Sequence, residues 1–102
     1  MATGYRIYKY DIKQVVDKVD DLLYSLAKRK RGKTLKLKVG HIIKIFAQEK
    51  KSIVDGAIEK IILQESEVID ALLAIDAGSD KWIAGAYFNF DEQKGMASFR
   101  LN

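Results

Sequence analysis

The chain has 102 residues, no cysteine, no proline and a single histidine, with 48% apolar and 31% charged residues and a formal net charge of +4. That length suits one domain, spanning 1–102, closed around one small hydrophobic core. The missing cysteines exclude disulfides, a thiolate nucleophile and cysteine-bearing zinc sites, and His41 alone leaves an imidazole metal centre short of partners.

Residues 1–10 read as an N-terminal arm or strand, with "YRIYKY" (Tyr5–Tyr10) alternating in the manner of an extended segment. From Asp11 a helical period takes over. Ile12, Val15, Val16, Val19, Leu22, Leu23 and Leu26 recur at spacings of three and four, which predicts one long amphipathic helix. Asp11 is placed to cap its start, Lys28–Arg31 suit the negative end of its dipole, and Gly32 is a natural stop. "TLKLKV" (34–39) then alternates strictly, a half-buried strand with Thr34, Lys36 and Lys38 toward solvent.

A shorter helix is expected from Gly40 to about Gln48, carrying Ile42, Ile43, Ile45 and Phe46. Ser52 and Asp55 resemble a capping box opening a third helix from Ser52 to Leu63, with Ile53, Val54, Ala57, Ile58, Ile61 and Ile62 apolar. Ser66–Ala77, carrying Val68, Ile69, Leu72 and Leu73, is either a fourth helix or the continuation of the third. The helical part thus covers 11–80. Residues 81–102 read as a β-hairpin, "KWIAGAYFNF" and "MASFRLN" joined by "DEQKG".

The stretch "AKRKRGKT" (Ala27–Thr34) is one residue from the phosphate-binding pattern G-x-x-x-x-G-K-[ST]. A phosphate loop, however, leads from a strand into a helix N-terminus, whose free N–H groups and positive dipole end hold the anion. Here the run leaves a helix and enters a strand, and Ala27 stands in place of the first glycine. It is not a phosphate loop of that kind. What remains is seven cations in Lys28–Lys38 with no acid among them.

Charge is divided along the chain. Residues 1–51 hold fourteen Lys or Arg against five Asp or Glu, whereas residues 52–102 hold four against nine. Dipole compensation and ordinary solvation account for about three of the seven clustered cations. The others, extended along one strand face, point to contacts with a polyanion's phosphates. The residues expected to make them are Lys28, Arg29, Lys30, Arg31, Lys33, Lys36, Lys38, Lys44, Lys50 and Lys51.

Helix, strand, helices and a terminal hairpin, carried by "DIKQVVDKVDDLLYSLAK", "TLKLKV", "HIIKIFAQEKKSIVDGAIEKIIL" and "WIAGAYFNFDEQKGMASFRL", resemble a winged helix-turn-helix domain over residues 11–102. The resemblance implies an α+β, winged-helix-like fold with three to four helices, and binding to DNA by a helix laid in the major groove. Neither candidate recognition helix has a basic exposed side, however: Asp55, Gly56, Glu59 and Lys60 stand on one, Glu67, Asp70 and Asp76 on the other. Phosphates repel carboxylates. The expectation is therefore a nucleic-acid-binding protein, DNA in preference to RNA, that meets the backbone through its basic N-terminal half. A regulator or an accessory factor would fit.

Other candidates are weaker. The tyrosines of "YRIYKY" read as core cover more than as base-stacking groups, and Asp20–Asp21 and Asp91–Glu92 as solvated helix face and turn. No nucleophile–base constellation stands out, so neither enzymatic activity nor a cofactor or metal is expected. Trp82, Tyr87, Phe88 and Phe90 supply core, or anchors for a protein interface with a second copy or a larger nucleic-acid enzyme. A pure protein-interaction module, such as a small subunit of a polymerase assembly, is the alternative. No apolar run is long enough for a membrane span and "MATGYRIYKY" lacks a signal peptide's apolar core, so an intracellular setting is expected. The Ile, Lys and Glu content leans toward a thermophile, an archaeon or one of its viruses.

Overall fold

The computed structural model describes residues 5–8, 11–48, 50–51, 58–78, 82 and 86–102. Its elements run β1 (Tyr5–Tyr8), α1 (Ile12–Arg29), β2 (Leu35–Lys38), α2 (Val39–Ala47), β3 (Lys50–Lys51), β4 (Ile58–Ile61), α3 (Glu65–Gly78), β5 (Tyr87–Asp91) and β6 (Met96–Arg100). The class is α+β, with three helices and two small sheets among the described residues.

The first helix forms where its apolar period demands. Asp11 Oδ1 accepts from the Gln14 N–H at 2.8 Å, and Gln14 Oε1 accepts from the Asp11 N–H at 3.0 Å, a reciprocal cap on two otherwise orphaned donors. Val15, Val19, Leu23 and Ala27 are fully buried along one stripe, while Ile12 lies beyond the stripe and is exposed. α1 packs against α3, whose Val68, Ala71, Leu72 and Ile75 face it across the core. Burying each of these larger aliphatic side chains contributes about 1.5–3 kcal/mol, which dwarfs the propensity differences among helix residues.

Two corrections to the sequence reading fall between residues 50 and 63. Ile58–Ile61 is a strand, not part of a helix, and pairs in parallel with β1 and antiparallel with β3. The isoleucines at 58, 61 and 62 mimic a helical period, but β-branched side chains also suit a pleated surface, and pairing with β1 decides the outcome. The single long helix over 52–77 is likewise excluded, since α3 starts at Glu65 after an extended stretch. The Ser52–Asp55 cap and Ile53, Val54 and Ala57 lie outside the described residues.

The second sheet has the order β2-β6-β5, antiparallel throughout. Its inner face is Leu35 and Leu37 on β2, Ala97 and Phe99 on β6, and Phe88 and Phe90 on β5, all packed on the helices. Thr34, Lys36, Lys38, Ser98 and Asn89 belong to the opposite face, as strand alternation requires. The hairpin forms as expected from β5 and β6, but its first strand begins at Tyr87 rather than Lys81: Trp82 and Ala86 lie outside the strand, and residues 81 and 83–85 are outside the described residues. Gly95 with φ +61° closes the turn in a backbone conformation that L side chains rarely adopt.

Candidate nucleic-acid interface

β2 is held at both ends by main-chain hydrogen bonds. At its entry, Gly32, at φ +84°, donates its N–H to the Leu101 carbonyl at 2.6 Å. At its exit, the Val39 N–H of the first turn of α2 donates to the Gly95 carbonyl at 3.0 Å. Lys38, the N-cap of α2, offers no side-chain cap, so this bond from the hairpin satisfies a donor the helix itself cannot. The C-terminal turn of α1, the strand and the start of α2 are thereby fixed relative to one another. They carry eight of the ten cations expected to meet phosphate.

All eight, Lys28, Arg29, Lys30, Arg31, Lys33, Lys36, Lys38 and Lys44, are exposed. Five of them converge. Arg29, Lys30 and Lys36 rim a depression of about 260 Å³ whose floor is Leu26, Leu35, Leu37 and Phe99. Lys36, Lys38 and Lys44 line an adjoining groove of about 600 Å³ with Gly40, His41 and Met96. Lys36 is common to both, so the two form one cationic track, and among the described residues no carboxylate lines either. Among the described residues, none of Arg29, Lys30, Lys36, Lys38 and Lys44 enters an ion pair.

The remaining three stand apart from the track. Lys28 lies over the Tyr24 ring at 5.9 Å. Arg31 donates through Nη1 to the Asn102 backbone oxygen at 2.9 Å, and Lys33 sits in the turn. The side chains of Lys50 and Lys51 are outside the described residues. Two groups absent from the sequence expectation join the site: His41, on the groove wall, and Arg100, on the outer sheet face. Arg100 was obscured by its distance of more than sixty residues from the basic run, and only the β2–β6 pairing brings it near.

The aromatic residues sort by face. Phe90, 6% exposed, belongs to the core and cannot serve as an outward anchor. Trp82 and Phe88 are half-buried, their rings 5.3 Å apart, with Tyr24 and Phe99 each 5.8 Å from Trp82. Of the four expected anchors, Tyr87, 40% exposed, is the one presented to solvent. Asp20, read from the sequence as solvated, is 8% exposed and accepts from Trp82 Nε1–H at 2.8 Å. The overlooked signal is spacing: Asp20 stands four residues after Val16 and three before Leu23, within the apolar stripe, where a carboxylate requires a donor.

α3 contributes nothing to the track. Its exposed positions include Glu65, Ser66, Asp70, Leu73, Asp76 and Ala77, acidic, neutral polar or apolar but without a cation. Among the described residues no cluster of metal-ligating side chains occurs, and no helix is long and apolar enough to cross a membrane. No family model matches the chain, and neither a curated protein nor a solved structure matches it.

Proposed function

We propose that this protein is a winged-helix-like domain that binds nucleic acid, DNA in preference to RNA, through phosphate contacts, as a regulator or an accessory factor. The fold reading is supported by the order α1, β2, α2, α3, β5, β6 and by a sheet whose middle strand is the last, with β1, β3 and β4 as additions. The functional reading is carried by one observation: five cations on three elements share a single track and, among the described residues, neither pair with nor lie beside an acid there. Backbone phosphates meet such a track without base recognition, because affinity comes from released counterions. The acidic face of α3 argues against its insertion into a groove between phosphate strands.

The test is fluorescence anisotropy with labelled duplex and single-stranded DNA across a salt series. Five phosphate contacts give a slope of log K against log salt of about −4.5 on duplex and about −3.5 on single strand. Replacing Lys30, Lys36, Lys38 and Lys44 together by glutamine is expected to flatten most of that slope. Absence of binding at low salt, or affinity indifferent to salt, refutes the reading.

A second reading, docking on a protein, is favoured by α3. Leu73 is exposed there beside Asp70 and Ala77 at helical spacing, a pairing of apolar and acidic groups suited to a basic partner.

A further inference from the structure

The outer face of the β2-β6-β5 sheet is built from three rows in register. Lys38 pairs with Met96 and Met96 with Asp91; Lys36 pairs with Ser98 and Ser98 with Asn89. In the third, Arg100 pairs with Tyr87 and its Nη1 donates to Thr34 Oγ1 at 3.1 Å. An antiparallel sheet commonly leaves one face in water, so a polar outer surface alone signifies nothing. Three features set this one apart. Its charges are three cations against Asp91. It begins at Lys36 and Lys38, which also line the cationic track. And its exposed aromatic ring is paired with a guanidinium: Arg100 lies over Tyr87 at 5.6 Å and is steadied by Thr34 and by Asn102 Oδ1 at 3.2 Å.

We infer that this sheet face is a platform for unpaired bases, so that the ligand preferred by the proposed nucleic-acid site is a single strand. The inference rests on the phosphate reading above and adds to it the surface that the bases occupy. A strand whose phosphates follow Lys44, Lys38 and Lys36 reaches the end of the sheet where Tyr87 and Arg100 stand. A base there stacks on the Tyr87 ring, which accepts any base, while Arg100 holds that ring in place. Duplex DNA keeps its bases stacked on one another and offers nothing to that face. Asn89 and Ser98, between the lysines and the aromatic pair, supply hydrogen-bonding groups without adding negative charge.

The experiment compares three probes by anisotropy at fixed salt: a short oligothymidylate, an abasic strand with the same phosphates, and a duplex. The expected result is that oligothymidylate binds about fivefold or more tightly than the abasic strand, the effect of one stacked base. Tyr87→Ala and Tyr87→Leu should both abolish that margin while leaving duplex and abasic affinities unchanged, and Tyr87→Phe should retain it. Equal binding of base-bearing and abasic strands by the unaltered protein overturns the platform and leaves the phosphate track standing. A margin that survives in both ringless variants overturns it too. Failure of all three probes to bind at low salt removes the phosphate reading and the platform with it.

Discussion

At the scale of single residues, the bond between Asp20 and Trp82 joins α1 to the segment leading into the hairpin, across 62 positions of sequence. Trp82 is the chain's only tryptophan, so its emission reports directly on this contact. Asp20→Ala removes the acceptor and leaves a partly buried indole N–H to find another, at an expected cost of about 1–2 kcal/mol in urea unfolding followed by fluorescence. Asp20→Asn keeps an acceptor oxygen and should cost less than half as much. Equal costs for the two variants would show that the carboxylate's charge, not its bond to Trp82, is what the fold uses. The contact shows what a one-dimensional reading captures at this scale. Asp11 and Gly32 were legible because their work is local, a cap and a turn. Asp20 was not, because its donor lies far along the chain and only its place inside the stripe hinted at one.

At the scale of elements, the fold was legible wherever side-chain period and neighbouring contacts agree. α1, β2, α2 and the second hairpin strand follow local patterns, and the structure differs from them by a residue or two at their ends, whereas the first hairpin strand begins six residues later than its apolar run suggests. β4 was misread because the spacing of Ile58, Ile61 and Ile62 is helical while its partner, β1, lies some fifty residues upstream. No window of sequence contains that pairing. α3 offers the sharpest check of how an element is seated. Leu72 is fully buried against the core while its neighbour Leu73 is 38% exposed. Leu72→Ala is expected to cost about 2–5 kcal/mol, from lost transfer energy and a residual cavity. Leu73→Ala should cost well under that, about 0.5 kcal/mol or less, as surface substitutions do. Chemical denaturation of both variants decides the matter, and comparable losses would mean that α3 is rotated about its axis.

At the scale of the whole molecule, charge is divided in the fold as well as along the chain. The track draws on the C-terminal end of α1, β2, α2 and β6, and most of the described acids lie on the earlier turns of α1, on α3 and at the hairpin turn. Composition alone made that division legible, but not its geometry. Of the ten cations expected at the site, five converge, and the strand pairing that adds Arg100 has no local signature. The division predicts which side of the protein meets a polyanion. Reversing Lys36 and Lys44 together to glutamate should weaken DNA binding about tenfold or more, since each attraction at the phosphate becomes a repulsion. Neutralising Asp70 and Asp76 to asparagine should change affinity by less than about twofold at physiological salt, where charges beyond roughly 8 Å of a phosphate are largely screened. Amide shifts during a DNA titration should accordingly move across 29–44 and stay nearly still across 65–78. If α3 instead entered the major groove as the recognition helix, removing its acids would strengthen binding severalfold and the largest shifts would fall within 65–78. That pattern would place the ligand on the opposite set of elements and leave the cationic track as a solvated surface.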